Sequence, residues 1–233
     1  MCSKSLLTIN KLHFAYGKQP VFEGLSLALH ANQLTGLLAL NGQGKSTLLK
    51  LIAGVLPLSV SAVQYRLPDK RIGYMPERPL SFPELTVLDN IAYAARIHRL
   101  AETQLQQRVD EVIWQCRLQS VTGKLAGNLS KGFQQRLGLA MAIVHQPALL
   151  LLDEPTDGMD PEQLTEAWQL IAEQKTQAGI LLSSHRLSEV AEHCDRVLIM
   201  HQGALCADLM LDDDAQRRLM KARIAHSTSA VSR

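Results

Sequence analysis

The segment from Ala39 to Thr47 combines residue types that bind phosphate. It reads Ala39-Leu40-Asn41-Gly42-Gln43-Gly44-Lys45-Ser46-Thr47, follows the apolar stretch Leu34–Leu38 and opens a helical pattern. This context is typical of a phosphate-binding loop, because glycines let successive backbone N–H groups point at one anion and the helix start adds partial positive charge. In such a loop Lys45 reaches the β- and γ-phosphates of a nucleotide, and the hydroxyl of Ser46 holds Mg²⁺.

The usual pattern of this loop is G-x-x-x-x-G-K-[ST], and Ala39 replaces its first glycine. Alanine resists a positive φ, so we expect either a right-handed turn at Ala39 or a slightly distorted loop. The alternative interpretation is an ordinary glycine-rich turn before a helix. The complete tail N-G-Q-G-K-S-T after an apolar strand favours the phosphate-binding loop.

A second polar cluster ends the apolar run Leu149–Leu152, which is followed by Asp153 and Glu154. Ligands of parallel sheets bind at the carboxyl ends of the strands, so both carboxylates are placed to act on a bound nucleotide. Asp153 would bind Mg²⁺ through water, and Glu154, on the other face, would orient or deprotonate the attacking water. The alternative is a strand that simply ends in solvated acids, and the phosphate-binding loop upstream favours the chemical role.

Composition limits both the fold and the partners. The chain has 233 residues, of which 46% are hydrophobic and 20% charged, and its formal net charge is +2. These values indicate a folded domain with an ordinary core and exclude a disordered chain. The near-neutral charge and the 4% of aromatic residues argue against nucleic acid as a partner. No apolar run reaches the roughly 18 residues that span a bilayer, so we expect a cytoplasmic protein unless a partner holds it at a membrane.

Strand-like runs alternate with helical patterns over most of the chain, which predicts an α/β fold with a largely parallel sheet covered by helices. Between residues 77 and 128 the apolar residues recur at helical spacing, which predicts an inserted helical region. The predicted strands are Leu6–Tyr16, Leu25–Leu29, Leu34–Leu38, Val60–Arg66, Arg71–Met75, Leu149–Leu152, Ile180–Ser183 and Val197–Met200. The predicted helices outside the insertion are Lys45–Ala53, Pro161–Lys175, Leu187–His193 and Ala215–Ala225.

We therefore predict a single domain over residues 1–233. Its catalytic core occupies about residues 1–76 and 136–210, and the helical insertion about residues 77–135. Residues 211–233 are predicted to form a C-terminal helix and tail.

Between the phosphate-binding loop and the acidic strand end lies the segment Leu129-Ser130-Lys131-Gly132-Phe133-Gln134-Gln135-Arg136. With it, the chain resembles the nucleotide-binding subunit of ATP-binding-cassette (ABC) transporters over about residues 6–210. Six motifs occur in the family's order, which makes the resemblance specific. It implies a P-loop NTPase core with a mostly parallel sheet, an N-terminal antiparallel β-subdomain and an inserted α-helical subdomain. It also implies ATP and Mg²⁺ as cofactors.

In that family the segment lies across a dimer interface and binds the γ-phosphate of the ATP held by the opposite subunit. The resemblance gives this role to Ser130 and Gly132. Lys131 and Phe133 depart from the family's glycine and glutamine, but neither position has to donate from its side chain. The alternative is a plain N-capped helix, although serine and glycine at a helix start do present a hydroxyl and amides to an anion.

Four further residues match the family's site by position. Tyr16 resembles the aromatic residue that stacks on adenine; the alternative is a tyrosine packed at a strand end. Glu77 stands where the family has a glutamine that touches Mg²⁺ or the attacking water, and it adds charge beside the two acids. Asp160 should face the partner subunit, and it also suits an N-cap before Pro161. His185 matches a histidine that contacts the γ-phosphate, whereas a lone histidine after a strand is usually structural.

The resemblance implies an ATP-hydrolysing subunit that powers a separate integral membrane permease through ATP-driven dimer closure. Its expected partners are a second ATP-binding cassette, expected to be a second copy, and the permease, which would hold it on the cytoplasmic face of the membrane. The apolar, proline-stiffened loop Pro79–Pro83 is predicted to form part of a groove for a permease helix. Two alternatives are a non-transport ABC ATPase that switches a soluble complex and an ordinary P-loop kinase or GTPase, which would leave the Leu129–Arg136 segment unexplained.

Overall fold

The structure, a computed structural model, describes residues 5–57, 62–67 and 71–211. The predicted helix Ala215–Ala225 and the tail lie outside the described residues. The strands are β1 (Ser5–Tyr16), β2 (Gln19–His30), β3 (Leu34–Leu38), β4 (Val63–Tyr65), β5 (Ile72–Met75), β6 (Leu149–Asp153), β7 (Gly179–Ser184), β8 (Arg196–His201) and β9 (Ala204–Met210). The helices are α1 (Lys45–Ile52), α2 (Val87–Ile97), α3 (Glu102–Gln115), α4 (Lys131–Ile143), α5 (Pro161–Gln174) and α6 (Leu187–His193).

The main sheet has the strand order β5-β6-β7-β3-β8-β9, and a smaller sheet has the order β2-β1-β4. The first five strands of the main sheet run parallel and β9 pairs antiparallel with β8, whereas all pairings in the smaller sheet are antiparallel. The predicted fold class, with a mostly parallel sheet and an N-terminal antiparallel unit, is therefore confirmed.

Two strand predictions differ from the structure. The predicted strand Leu25–Leu29 is only the second half of β2, which already begins at Gln19. Pro20 suggested a boundary, but β2 is an edge strand, where a missing N–H is tolerated. No strand was predicted at β9, whose side chains are mostly exposed and give little apolar signal.

Burial on both faces of the main sheet explains why the sequences of its strands are continuous apolar runs. In β6, Leu149 and Leu151 belong to the cluster shared with α1 and the smaller sheet, whereas Leu150 and Leu152 belong to the cluster shared with the other helices. A strand covered on both faces needs apolar side chains at every position, not at alternate ones. The four buried leucines of β6 thus determine the position of the first polar side chain, Asp153, at the end of the strand.

Helices α2, α3 and α4 occupy the chain between β5 and β6, together with two short 3₁₀ turns, Gln119–Val121 and Ala126–Asn128. The buried side chain of Asn90, on α2, fixes the loop before this helix: its Oδ1 accepts from Phe82 N at 2.8 Å, and its Nδ2 donates to Phe82 O at 3.1 Å. Within the described ranges, none of the helices combines the length and the apolar character that crossing a membrane requires.

Gly36 allows β3 to pack closely on α6. A Cβ at this position would lie 2.4 Å from Val190 Cγ1 and 3.0 Å from Cys194 Sγ. We predict that Gly36→Ala lowers the free energy of unfolding by about 1–3 kcal/mol, the usual cost of overpacking. Gly123→Ala is the matched control, because an added Cβ there meets no atom within 4 Å. Urea midpoints of the three proteins measure the effect, and equal midpoints for the two variants would contradict the argument.

Candidate nucleotide-binding site

The ends of three neighbouring strands surround a cavity of about 850 Å³. Strands β6, β7 and β3 are parallel and adjacent, so their carboxyl ends lie side by side. β3 leads into the glycine-rich loop, β6 ends at Asp153 and β7 ends at Ser184. Of the predicted site residues, the cavity brings together Tyr16, Asn41, Gly42, Gly44, Lys45, Ser46, Thr47, Glu77, Glu154 and His185.

The glycine-rich loop needs glycine at two positions, since Gly42 and Gly44 have φ angles of 78° and 96°. A Cβ on Gly44 would also lie 3.0 Å from Val21 Cγ1, so the loop passes close to β2. Ala39 is not among the described residues with a positive φ, which agrees with a right-handed turn there. The side-chain oxygen of Gln43 accepts from the backbone of Gln202 and ties the loop to the turn after β8.

Lys45 is almost fully buried, and its ammonium bridges the loop and the acidic strand end. Nζ donates to the carbonyl oxygen of Ala39 at 2.9 Å and lies 3.2 Å from Glu154 Oε1. Glu154 Oε1 accepts no aligned hydrogen bond within the described ranges, so the Lys45 contact is an ion pair. A buried ammonium in this position can also bind a phosphate that enters the cavity.

Asp153 lies just beneath the cavity and is held by two hydroxyls. Ser46 Oγ donates to Asp153 Oδ1 at 3.1 Å, and Ser183 Oγ donates to the same oxygen at 2.7 Å. Ser183 Oγ also accepts from the backbone N–H of Glu154 at 2.9 Å. The sequence interpretation missed Ser183, although it ends an apolar run in the same way that Asp153 does.

The Ser46 and Asp153 oxygens fit the needs of Mg²⁺. This ion prefers hard oxygen ligands and commonly takes one or two carboxylates plus phosphate oxygens. No cluster of three or more His, Cys, Asp or Glu suited to a metal occurs among the residues that the structure describes. A Mg²⁺ ion held by Ser46 and Asp153 would need further ligands, which phosphate oxygens can supply.

Glu154 follows β6 with a φ of 47°, a strained conformation for a residue with a side chain. Its side chain is largely buried, and Oε2 lies 3.0 Å from His185 Nδ1. The two carboxylate oxygens of Glu154 thus contact two different groups: Oε1 lies against the Lys45 ammonium and Oε2 against the His185 ring. This arrangement fixes the carboxylate at the cavity wall, a position that a general base could use.

Tyr16 and Glu77 lie at the rim of the cavity. The Tyr16 ring is 48% exposed and meets the ring of Phe14 edge-on at 5.1 Å between centroids. Its hydroxyl is 3.5 Å from Thr47 Oγ1, so the residue packs at the strand end and also lines the cavity, while stacking on adenine stays a prediction. Glu77 is exposed, and its carbonyl oxygen accepts from Gln135 Nε2 at 3.4 Å, which links the cavity rim to α4.

Ser130, Gly132 and Asp160 do not line the cavity of their own chain. Ser130 is exposed at the N-cap of α4, and its side chain makes no capping hydrogen bond. Asp160 Oδ1 accepts from Gln163 N at 2.9 Å, which confirms the predicted N-cap of α5. A Cβ on Gly132 would lie 2.9 Å from Gln163 Oε1, so the starts of α4 and α5 pack against each other.

Asp157 is a cavity residue that the sequence interpretation did not single out. Its carboxylate lies 3.7 Å from Lys131 Nζ and 3.8 Å from a terminal nitrogen of Arg186. The pKa of Arg186 is raised, first by its hydrogen bond to Glu189 and then by nearby carboxylates. Such exposed pairs contribute little to stability, about 0–1 kcal/mol each, but they place charges between the cavity and the start of α4.

Comparison with known proteins agrees with this geometry. The family model described as ABC transporter matches residues 22–157. An ABC transporter ATP-binding protein of Bacillus subtilis, YxlF, is 31% identical over 204 residues, which are 86% of this chain and 69% of that protein. The bacitracin transport ATP-binding protein BcrA of Bacillus licheniformis is 31% identical over 229 residues, covering 93% and 74% of the two chains.

A solved structure of an ATP-binding subunit of an ABC transporter is similar with a TM-score of 0.78 and 30% identity, covering 92% of this chain and 93% of that one. The family match, over residues 22–157, spans the glycine-rich loop and the acidic strand end. The chain therefore belongs to the ABC transporter family, as one of its ATP-binding subunits.

Proposed function

We propose that this subunit hydrolyses ATP at a site completed by a second copy of the chain, and that the resulting closure and opening drive a separate membrane permease. The observation that carries the proposal is the constellation at the strand ends. Lys45, Ser46, Glu154 and His185 line one cavity, and Asp153 lies beneath it in contact with Ser46. These groups are what phosphoryl transfer to water requires: a phosphate-binding cation, metal ligands and a base.

In the proposed reaction, water attacks the γ-phosphorus and the bond to the β–γ bridging oxygen breaks, so that ADP leaves with the electron pair. Glu154 accepts the proton of the attacking water, and His185 holds the carboxylate in place and reaches the γ-phosphate. Lys45 binds the β- and γ-phosphates, and Tyr16 stacks on the base. Ser46 and Asp153 would hold Mg²⁺, which would supply neutralisation of the phosphate charge.

The Lys45–Glu154 ion pair couples binding of the triphosphate to the availability of Glu154 as a base. The ammonium of Lys45 lies 3.2 Å from the carboxylate of Glu154, the proposed base. Phosphate oxygens entering the cavity compete for the same ammonium, and a shift of Lys45 toward them leaves Glu154 available to accept a proton. In this proposal, binding of the triphosphate thus activates the base.

The second copy is proposed to supply what the cavity lacks within one chain. Ser130 is exposed with a hydroxyl that makes no capping bond, and the start of α4 offers backbone amides to an anion. Ser130 and Gly132 of one copy would bind the γ-phosphate held by Lys45 of the other, with Asp160 facing the partner. Glu77, at the rim, would report this state to the permease.

An apolar groove of about 290 Å³ supports the permease as partner. Leu80, Phe82, Tyr93 and Ile97 line it and are all exposed, with Phe82 and Tyr93 in edge-on contact at 4.9 Å. Exposed apolar side chains gathered in one groove are typical of an interaction site. We propose that a permease helix fills this groove and holds the subunit on the cytoplasmic face of the membrane.

Glu154→Gln tests the base. The amide keeps the shape but cannot accept the proton, so kcat should fall about 100-fold or more while ATP still binds. The variant should also accumulate as an ATP-bound dimer on size-exclusion chromatography, and adding Ser130→Phe should return it to monomer. Glu23→Gln, on the exposed surface of β2, is the control with normal turnover. Normal turnover by Glu154→Gln would remove Glu154 from the base role.

Lys45→Ala tests the phosphate contact. Loss of a charge-assisted bond of about 1.5–3 kcal/mol should weaken ATP binding by about 10- to 100-fold in Kd, measured by calorimetry. Lys50→Ala removes a lysine from the last turn of the same helix and should leave Kd unchanged. Circular dichroism confirms that both variants are folded. Equal Kd values for the two variants contradict the assignment of Lys45.

Phe82→Asp tests the permease groove. A carboxylate in this apolar groove should lower the amount of co-purifying membrane protein about tenfold or more, because burying an unpaired charge is costly. Val55→Asp, at an exposed apolar residue outside the groove, should retain the membrane protein. Undiminished recovery with Phe82→Asp would refute the groove as the docking site, and recovery of soluble partners only would favour a non-transport switch.

A further inference from the structure

A second concave site, of about 520 Å³, lies where β5 begins, α4 ends and the turn between α2 and α3 passes. Three arginines line it, Arg71, Arg99 and Arg108, together with one acidic residue, Glu111. Glu111 is paired with Arg108 at 3.0 Å, and this bond lowers the pKa of the carboxyl. The lining residues therefore carry an excess of positive charge, and we call this site the basic cavity.

Two stacked histidines join the basic cavity to the apolar groove. The rings of His98 and His145 are 3.6 Å apart between centroids and nearly parallel, and both residues line both sites. Burial, followed by the charge of His98, lowers the pKa of His145 to about 4, with further lowering by Arg71 and Arg108. His145 is thus neutral near pH 7, and the positive charge of the cavity comes from its arginines.

The surface formed by the groove and the basic cavity has polar atoms that the chain itself does not satisfy. Tyr74 Oη and His145 Nδ1 are buried without a hydrogen-bond partner among the described residues, and both residues line this surface. Buried polar atoms are normally hydrogen-bonded, so these two atoms are available to a molecule bound on this surface.

Arg99 is the arginine of the basic cavity that is best placed for a partner. It is exposed in the turn after α2, and its side chain makes no hydrogen bond or ion pair with any residue in the described ranges. By contrast, Arg108 is buried and donates to Val144 O, Ile143 O and Glu111. An unengaged guanidinium at the edge of a cavity is suited to a bidentate bond with a carboxylate.

We propose that the apolar groove and the basic cavity together bind one amphipathic helix of the membrane partner, with its apolar side chains in the groove and an Asp or Glu carboxylate of the same helix on Arg99. This inference rests on the proposed function and adds the charge of the partner to it. Because His98 and His145 line both the groove and the basic cavity, one bound helix can occupy both. The positive charge of the basic cavity favours a helix that carries an acidic side chain.

Zero-length coupling in the intact complex tests the proposal. In Arg99→Lys the charge is kept and an amine is introduced, which a carbodiimide joins only to a carboxylate in direct contact. Mass spectrometry of the complex with the co-purified membrane protein should show the substituted lysine joined to an Asp or Glu of that protein. Arg96→Lys is the matched control: Arg96 lies 3.2 Å from Glu102, so its substituted lysine should couple within the chain.

Coupling of the lysine in Arg99→Lys only to acids of its own chain, or no coupling at this position in an intact complex, would overturn the proposal. Charge reversal provides a second measurement, since Arg99→Glu should weaken retention of the membrane protein about tenfold at low salt and less at high salt. If Phe82→Asp releases the membrane protein but Arg99→Glu does not, this inference fails alone. If no membrane protein co-purifies with the unaltered chain, the proposed function fails.

Discussion

The contact between the buried ammonium of Lys45 and the carboxylate of Glu154 organises the nucleotide site. Removing either partner of a buried ion pair leaves the other charge uncompensated at a cost of about 3–5 kcal/mol, so the two groups hold each other in place. Glu154 also contacts His185, and Lys45 also binds the carbonyl oxygen of Ala39. The loop, the acidic strand end and the end of β7 are thereby joined by contacts within the chain.

This contact depends on the register of the parallel strands. Leu152 pairs with Leu182 and Asp153 with Ser183, so β6 and β7 end at the same level. Because the leucines of β6 are buried on both faces, sliding the strand by one residue would bury a carboxylate in one of the two cores. Apolar packing far from the nucleotide thus determines where the polar residues of the site emerge.

The strongest sequence signals came from residues whose local pattern already contains the chemistry. The loop ending in Gly44-Lys45-Ser46 and the acids after Leu152 needed only the parallel-strand rule to be placed together, and the structure does place them together. Ser183 shows the same pattern, a polar residue at the end of an apolar run. A serine hydroxyl is, however, a less specific indicator of a metal or catalytic site than a carboxylate. Asp157 could not be found this way, because its role depends on Lys131 and Arg186, which are distant in sequence.

Local sequence patterns also do not predict strands at the edge of a sheet. β9 pairs with β8 through its backbone while most of its side chains are exposed, so little in its composition distinguishes it from a loop. The first half of β2 was hidden by Pro20, which only an edge strand accommodates. The proposed roles of Ser130 and Gly132 rest on the family resemblance alone, since the surface that would complete them lies on another molecule and is not seen in the contacts of one chain.

The short strand β5 connects the nucleotide site with the groove through one side chain. Tyr74 lines the groove, and its pKa is raised by burial and, to a lesser extent, by the negative charge of Asp153. Three residues after Tyr74, beyond the end of β5, lies Glu77, whose carbonyl oxygen accepts a hydrogen bond from Gln135 on α4. The same helix packs on the groove loop, because Gly138 leaves room for Pro79, where an added Cβ would lie 2.6 Å from the proline ring. The negative charge of Asp153 thus acts on Tyr74 at the wall of the groove, and α4 packs on the loop that forms the edge of the groove. These contacts connect the candidate nucleotide site with the surface proposed to bind a membrane partner.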